Sequence, residues 1–215
     1  MVAIITHTNS GVDQVCLDEL FCLRHRVFVE GRGWSLPSRR DREVDQYDDR
    51  RAVYFVDRGP GGAIEASVRL TPTLHSSLLA DYFPHLVENG VSPRGERIFE
   101  ATRYIVQPRE RSRQANRAAK ARLLGAMLEW ALEQDLDFIQ TVIDAATLRS
   151  FVEMTMHTMP LGLAHPYGGG RGVRGGGECL AIRWPVTAEV LADIRAYGLV
   201  PGHRSDADGH HSILH

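Results

Sequence analysis

Ile98-Phe99-Glu100-Ala101-Thr102-Arg103-Tyr104-Ile105-Val106 is the stretch on which the fold turns. Its aromatic and β-branched residues read as a strong strand, with side chains alternating between two faces. Strict alternation sends Glu100 and Arg103 to opposite faces. If both serve one site, the strand needs a bulge near Ala101–Thr102 that re-aims one of them. Downstream, a helix is expected from about Gln114 to Gln134, burying Ala119, Leu123, Met127 and Trp130. A strand at Phe138–Asp144, a helix over about Ala146–Met156, strands at Leu161–Tyr167 and Cys179–Trp184, and a Thr187-capped helix to about Tyr197 follow.

Upstream, strands at Ala52–Asp57 and Ala63–Leu70 form a hairpin through Gly59-Pro60-Gly61-Gly62, with Arg69 on the more polar face. Leu78–Leu86 reads as a short helix or irregular turn. Val2–Ile5 reads as a strand, and Asp13 as the cap of a helix running to about Glu30. On that helix Cys16, Leu20, Leu23 and Val27 form an apolar row. Leu17, Phe21, Arg24 and Phe28 form the row beside it, which leaves Arg24 at the margin of a buried stripe, where a guanidinium needs an acidic partner. Gly31–Arg51 is a long polar loop, of the kind that is functional or mobile in a compact domain. This order of elements predicts an α/β fold, a three-layer α-β-α sandwich with a mixed central sheet.

The 215 residues suit one domain over 1–201, with 202–215 as a flexible tail. Apolar residues make up 43% and charged residues 24%, with a net charge of −2. That balance fits a globular chain and argues against bulk binding to nucleic acid or membrane. The N-terminus has neither a basic region nor an apolar run long enough for a signal peptide, so a cytoplasmic location is expected. Cys16, Cys22 and Cys179 lack metal-ligand spacing, and the ten histidines form no ligand cluster, so no metal is expected.

Two motifs are weak. Gly170-x-Gly172-x-x-Gly175 has the spacing of a dinucleotide fingerprint, but it precedes a strand instead of following one, so it reads as a connector. The basic run Arg109, Arg111, Arg113, Arg117, Lys120 and Arg122 straddles a helix start. It suits an anion such as the phosphates of coenzyme A or an acidic carrier protein, or else a solvated face. No nucleophile elbow for Ser-His-Asp chemistry is present.

The strong signal is a set of eight: Arg24, Phe28, Trp34, Asp45, Asp48, Arg69, Glu100 and Arg103. Three arginines and three acids make sense together if the fold gathers them around one polar cleft. Phe28 and Trp34 add two aromatic walls, which suits a cationic, aromatic-bearing ligand. These residues fall in the runs Leu23-Arg24-His25-Arg26-Val27-Phe28-Val29-Glu30, Gly33-Trp34 and Glu43-Val44-Asp45-Gln46-Tyr47-Asp48. Further runs are Arg69-Leu70-x-Pro72-Thr73, Asp81-x-Phe83-Pro84 and Glu100-Ala101-Thr102-Arg103.

In these runs the chain resembles the acyl-homoserine-lactone synthases, the LuxI-type autoinducer synthases of bacterial quorum sensing. The resemblance covers about residues 5–200, densely before Val106 and thinly after Ile143. It implies a fold similar to the GNAT acyltransferases. It also implies an enzyme that acylates the amine of S-adenosylmethionine from an acyl thioester and closes a lactone, releasing methylthioadenosine. S-adenosylmethionine is then a substrate, and no cofactor is required. The donor is acyl-coenzyme A or an acyl carrier protein, and the Arg24–Trp34 and Arg103–Tyr104 wording is closer to members that use branched or aryl coenzyme A thioesters.

The resemblance makes Glu100 the candidate base, directly or through one water, and makes Arg103 an orienting group for the methionine carboxylate or the thioester arm. Arg24, Phe28, Trp34, Asp45 and Asp48 would shape the S-adenosylmethionine pocket under an N-terminal flap of about residues 24–51. Arg69 would lock the acids. Thr141 lies near where some members carry a threonine associated with 3-oxo chains. Two alternatives stand beside this reading. One is a GNAT-like N-acyltransferase with another amine acceptor, against which Trp34 and both acids argue. The other is a non-catalytic binding or sensor relative, against which intact Glu100 and Arg103 argue.

Overall fold

The computed structural model describes residues 1–7, 14–170, 172 and 174–199. Asp13 and the 202–215 tail lie outside the described residues, so the capping and tail expectations do too. Strand β1 (Val2–Ile5) precedes helix α1 (Gln14–Arg24), which continues without a break into a π-helical turn, His25–Gly31. A small hairpin of β2 (Ser38–Arg39) and β3 (Arg42–Glu43) follows, then the long strands β4 (Val53–Arg58) and β5 (Ile64–Pro72). Helix α2 (Leu78–Tyr82) leads to β6 (Ile98–Val106), α3 (Arg113–Glu133), β7 (Phe138–Asp144) and α4 (Leu148–Met154). Strands β8 (Met159–Pro160), β9 (His165–Tyr167) and β10 (Gly177–Pro185) precede the last helix, α5 (Ala188–Leu199). Of the expected strand at Leu161–Tyr167 only His165–Tyr167 forms, as β9; Leu161–Ala164 lie outside any strand and β8 precedes them.

One sheet runs β1-β4-β5-β6-β7-β10-β8, with β9 added on β10. Only β6 and β7 are parallel among its pairs, because α3 returns the chain between them. Alternation then sorts the side chains. Phe55, Val68, Ala101, Ile139, Ile143 and Leu180 meet α3 and α5 in the main core. Tyr54 and Val56 face α1, and Val142 and Ala181 face α2. Helices on both faces give the three layers predicted. Leu123 and Met127 on α3 are fully buried, and each such side chain stabilises by about 1.5–3 kcal/mol. No helix among the described residues is long and apolar enough to cross a membrane.

Two irregularities position the site. The ladder between β5 and β6 slips by one residue between the pairs Arg69–Thr102 and Ser67–Ile105. Arg103 sits in that slip with φ +55°, in the left-handed region. The expected bulge thus exists, about two residues beyond the Ala101–Thr102 position expected from the sequence. Before it Ala101 faces the α3 core, and after it Tyr104 and Val106 do. Glu100, Thr102, Arg103 and Ile105 consequently share the other face. The second irregularity is the β6–β7 ladder, which covers only Ile98–Glu100 against Phe138–Gln140 although both strands run on. Beyond Glu100 and Gln140 the strands part.

Candidate active site

Arg24, Arg69 and Arg103 come from α1, β5 and β6, and all three are buried. Arg24 donates through Nε to Glu43 Oε2 at 2.6 Å and through its two Nη atoms to Asp48 at 2.7 and 2.8 Å. Arg69 grips both oxygens of Asp45 at 2.6 and 3.0 Å, stands 2.8 Å from Asp48 Oδ1 and donates through Nε to Thr102 Oγ1. Arg103 takes both oxygens of Glu43 at 3.1 and 2.9 Å and reaches Asp45 Oδ2 at 2.8 Å. Each acid is shared by two arginines, so the six side chains close a ring: Arg24, Glu43, Arg103, Asp45, Arg69, Asp48.

The ring is neutral, with three positive and three negative groups, which is the condition for keeping it out of water. Burial pushes the Asp48 carboxyl upward, yet Arg24 and Arg69 hold it well below the usual carboxylate range. Burial likewise works against the Arg24 cation, and Asp48 and Glu43 outweigh it and raise its pKa. Tyr54 adds a hydroxyl bond to Asp48 at 3.0 Å. Arg103 therefore belongs to the frame, with its guanidinium committed to acids instead of pointing freely at a ligand.

Phe28 and Trp34 do not form opposed walls. Their rings stack on each other, 5.2 Å apart and within 7° of parallel. The Arg103 guanidinium lies 5.6 Å from the Phe28 ring centre, and that of Arg32 lies 5.2 Å from Trp34. The π turn makes this possible. Its wider winding, with Arg32 N–H bonded to Val27 C=O, lets Arg24, Val27 and Phe28 all turn inward.

A clasp then ties this segment across the parting strands. Arg32 Nη1 meets Asp144 Oδ2 at the end of β7 at 2.5 Å, and the Tyr167 hydroxyl donates to Asp144 at 2.7 Å. Arg174 donates to the Glu30 carbonyl, and Gly175, at φ +80°, backs directly onto Gly33. At Arg174 and Gly175 the glycine-rich connector is thus packed against the end of the π turn. It is not a phosphate loop.

Glu100 stands apart from the ring. Its two oxygens accept the backbone N–H groups of Leu78 and Leu79 at 2.5 and 2.8 Å, at the start of α2. Burial raises its pKa to about 7, against the pull of those amides and of Arg69. A carboxyl tuned this close to neutrality can both take and return a proton. Asp81 lies nearby, held by the Tyr47 hydroxyl at 2.9 Å.

Thr141 is the one expected site residue that is not gathered with the rest. It lies between Gln140 and Val142 on β7, on the α3 side with Ile139 and Ile143. The basic run is also partly spoken for: Arg122 pairs with Asp57, Lys120 is buried on Ser150, and Arg117 covers Tyr197. Arg109, Arg111 and Arg113 are exposed around Ser112, which caps α3. No three His, Cys, Asp or Glu among the described residues are grouped to hold a metal ion.

Residues 9–154 match the family model for the autoinducer synthases. An acyl-homoserine-lactone synthase of Rhizobium etli is 28% identical over 197 residues, 91% of this chain and 89% of that protein. An isovaleryl-homoserine lactone synthase of Bradyrhizobium diazoefficiens is 33% identical over 164 residues, 76% of this chain and 73% of that protein. Among solved structures, the CoA-dependent acyl-homoserine lactone synthase BjaI, determined with MTA, superposes with a TM-score of 0.78 at 28% identity. That superposition covers 94% of this chain and 90% of BjaI. FeeM, an N-acyl amino acid synthase from uncultured soil microbes, shares the fold at 13% identity, with a TM-score of 0.57 over 86% of this chain and 91% of its own.

Proposed function

The chain belongs to the autoinducer synthase family and is an acyl-homoserine-lactone synthase; from that premise we propose that it couples S-adenosylmethionine to a short branched acyl-coenzyme A. The observation that carries the mechanism is Glu100, a buried carboxyl with pKa raised to about 7 on the same face as the arginine–acid ring. Glu100 takes a proton from the methionine ammonium. The freed amine attacks the thioester carbonyl, the amide C–N bond forms, and the C–S bond breaks with the thiol leaving. The methionine carboxylate then attacks the carbon beside the sulfonium, closing the lactone and releasing methylthioadenosine. Holding that carboxylate over that carbon is a proximity effect, which suits a rigid frame.

In this reading the neutral ring fixes the floor of the S-adenosylmethionine pocket. Phe28 and Trp34 part to receive the adenosine or sulfonium, exchanging their mutual stack for the ligand. Backbone amides beyond Glu100 and Gln140, where the β6–β7 ladder stops, serve the thioester oxyanion. Arg109, Arg111 and Arg113 at the start of α3 supply the charge for coenzyme A phosphates. Similarity to the CoA-dependent BjaI and to the isovaleryl-homoserine lactone synthase supports the choice of donor.

The test is turnover with S-adenosylmethionine against matched coenzyme A and carrier-protein thioesters, with methylthioadenosine and lactone quantified. Isovaleryl-coenzyme A is expected to be the best of the panel. Turnover with carrier-protein thioesters alone would overturn the donor assignment. S-adenosylmethionine binding with no methylthioadenosine from any donor would overturn the synthase reading.

A further inference from the structure

Gln140 is fully buried, and neither end of its side-chain carboxamide has a hydrogen-bond partner among the described residues. Buried amides without partners are rare because the group keeps the cost of leaving water and recovers nothing. Its place in the sheet is specific. Gln140 is the last β7 residue paired with β6, and its partner there is Glu100. Parallel partners in register present their side chains to the same face, about 4.8 Å apart. That face is the α2 side, because Val142, two residues on, packs against Leu79, and Leu79 N–H holds Glu100. On the far side Gln140 pairs with Arg183, whose guanidinium is turned over the Phe138 ring at 4.6 Å. Gln140 thus shares a register position and a face with Glu100, at the point where the two strands begin to part.

We propose that Gln140 contacts the attacking amine: its Oε1 accepts one N–H while Glu100 receives the other, aiming the nitrogen lone pair at the thioester carbonyl. The proposal rests on the synthase reading above. An amine freed by proton loss to Glu100 has two N–H bonds to place, and a carboxyl and a carboxamide on one face at one register position offer an acceptor for each. The carboxamide Nε2 remains a donor on the side of the incoming acyl group. Gln140 is a binding and positioning group here. No proton moves to it, since an amide is neither basic nor acidic near neutral pH.

The test compares wild type with Gln140→Met, which keeps the length and apolar stem and removes both polar ends. Thiol release reports acylation, methylthioadenosine reports the complete reaction, and thermal unfolding reports the fold. Acylation kcat is expected to fall roughly tenfold or more, the scale of one lost hydrogen bond in a transition state, with KM for the acyl donor within about twofold. The unfolding temperature is expected to stay level or rise, since an unpaired buried amide has been removed. Undiminished kcat in a folded Q140M overturns the role of Gln140 alone. A wild type that releases no thiol from any donor overturns it together with the synthase reading, so the two failures are distinguishable. If Q140M does not fold, Gln140→Asn withdraws the same polar ends by one methylene. A slowed, normally stable Q140N supports the assignment, and full activity in it overturns the assignment.

Discussion

Glu43 carries the third negative charge of the arginine–acid ring and is fully buried, while its neighbour Val44 is 41% exposed. Both of its oxygens are engaged, by Arg24 and by Arg103, so removing its charge strands two guanidiniums at once. Glu43→Gln is expected to destabilise the protein by about 3–5 kcal/mol in denaturant titration, the scale of breaking a buried ion pair from one side. Val44→Thr, at the next residue in the chain, is expected to cost under about 0.5 kcal/mol. Equal effects from the two would show that the ring does not hold the fold. The eight residues singled out in the sequence include five of the six ring members, because arginines and acids spread through a globular chain imply a common destination. Glu43 was not singled out because a short hairpin that buries the charge and exposes the valine inverts the usual hydrophobic pattern. The remaining signal was the charge count: with Glu100 held by backbone amides, three arginines require one acid more than Asp45 and Asp48.

At the scale of elements, alternation made the conflict between Glu100 and Arg103 visible and demanded a bulge. It did not fix the bulge position, because any slip between the two residues satisfies the parity, and the left-handed Arg103 is selected by its bonds to Glu43 and Asp45. The π turn was not legible at all. Its residues continue a helical pattern, and the extra residue per turn becomes favourable only once Phe28 can stack on Trp34. The sequence marks the 168–177 stretch as a connector only, whereas Gly168, Gly175, Gly176 and Gly177 sit where an added Cβ would meet a neighbour closer than 3.0 Å. A Cβ on Gly175 would lie 2.7 Å from the Gly33 carbonyl oxygen, in a backbone of φ +80°. Gly175→Ala is therefore expected to cost about 1–2 kcal/mol and to push the π turn off its seat. A raised KM for S-adenosylmethionine, with a smaller change for the acyl donor, is the kinetic sign. Unchanged KM values for both substrates would mean that the clasp does not shape the pocket.

Across the whole molecule, two kinds of buried carboxyl set opposite pH slopes. Asp48 is held well below its ordinary value of 3.8 by Arg24 and Arg69, so its contribution is present above that value and is lost as pH falls through the folded one. Glu100 is raised from 4.5 to about 7, chiefly by burial. Between those two values the folded state binds the extra proton, so stability declines as pH rises through that window. The decline approaches about 1.4 kcal/mol per pH unit from this group. Catalysis needs the opposite condition, since Glu100 accepts a proton only when ionised. Stability and kcat/KM should therefore move in opposite directions as pH rises toward about 7, with one carboxyl responsible for both. Glu100→Gln isolates it: the variant is expected to lose the rising limb of the rate and to unfold with a flatter stability profile between about pH 4.5 and 7. Urea titrations of both proteins at half-unit pH intervals measure the difference. Parallel profiles would show that Glu100 is not the raised group, and the base would then have to be sought elsewhere on the face that the bulge of β6 creates.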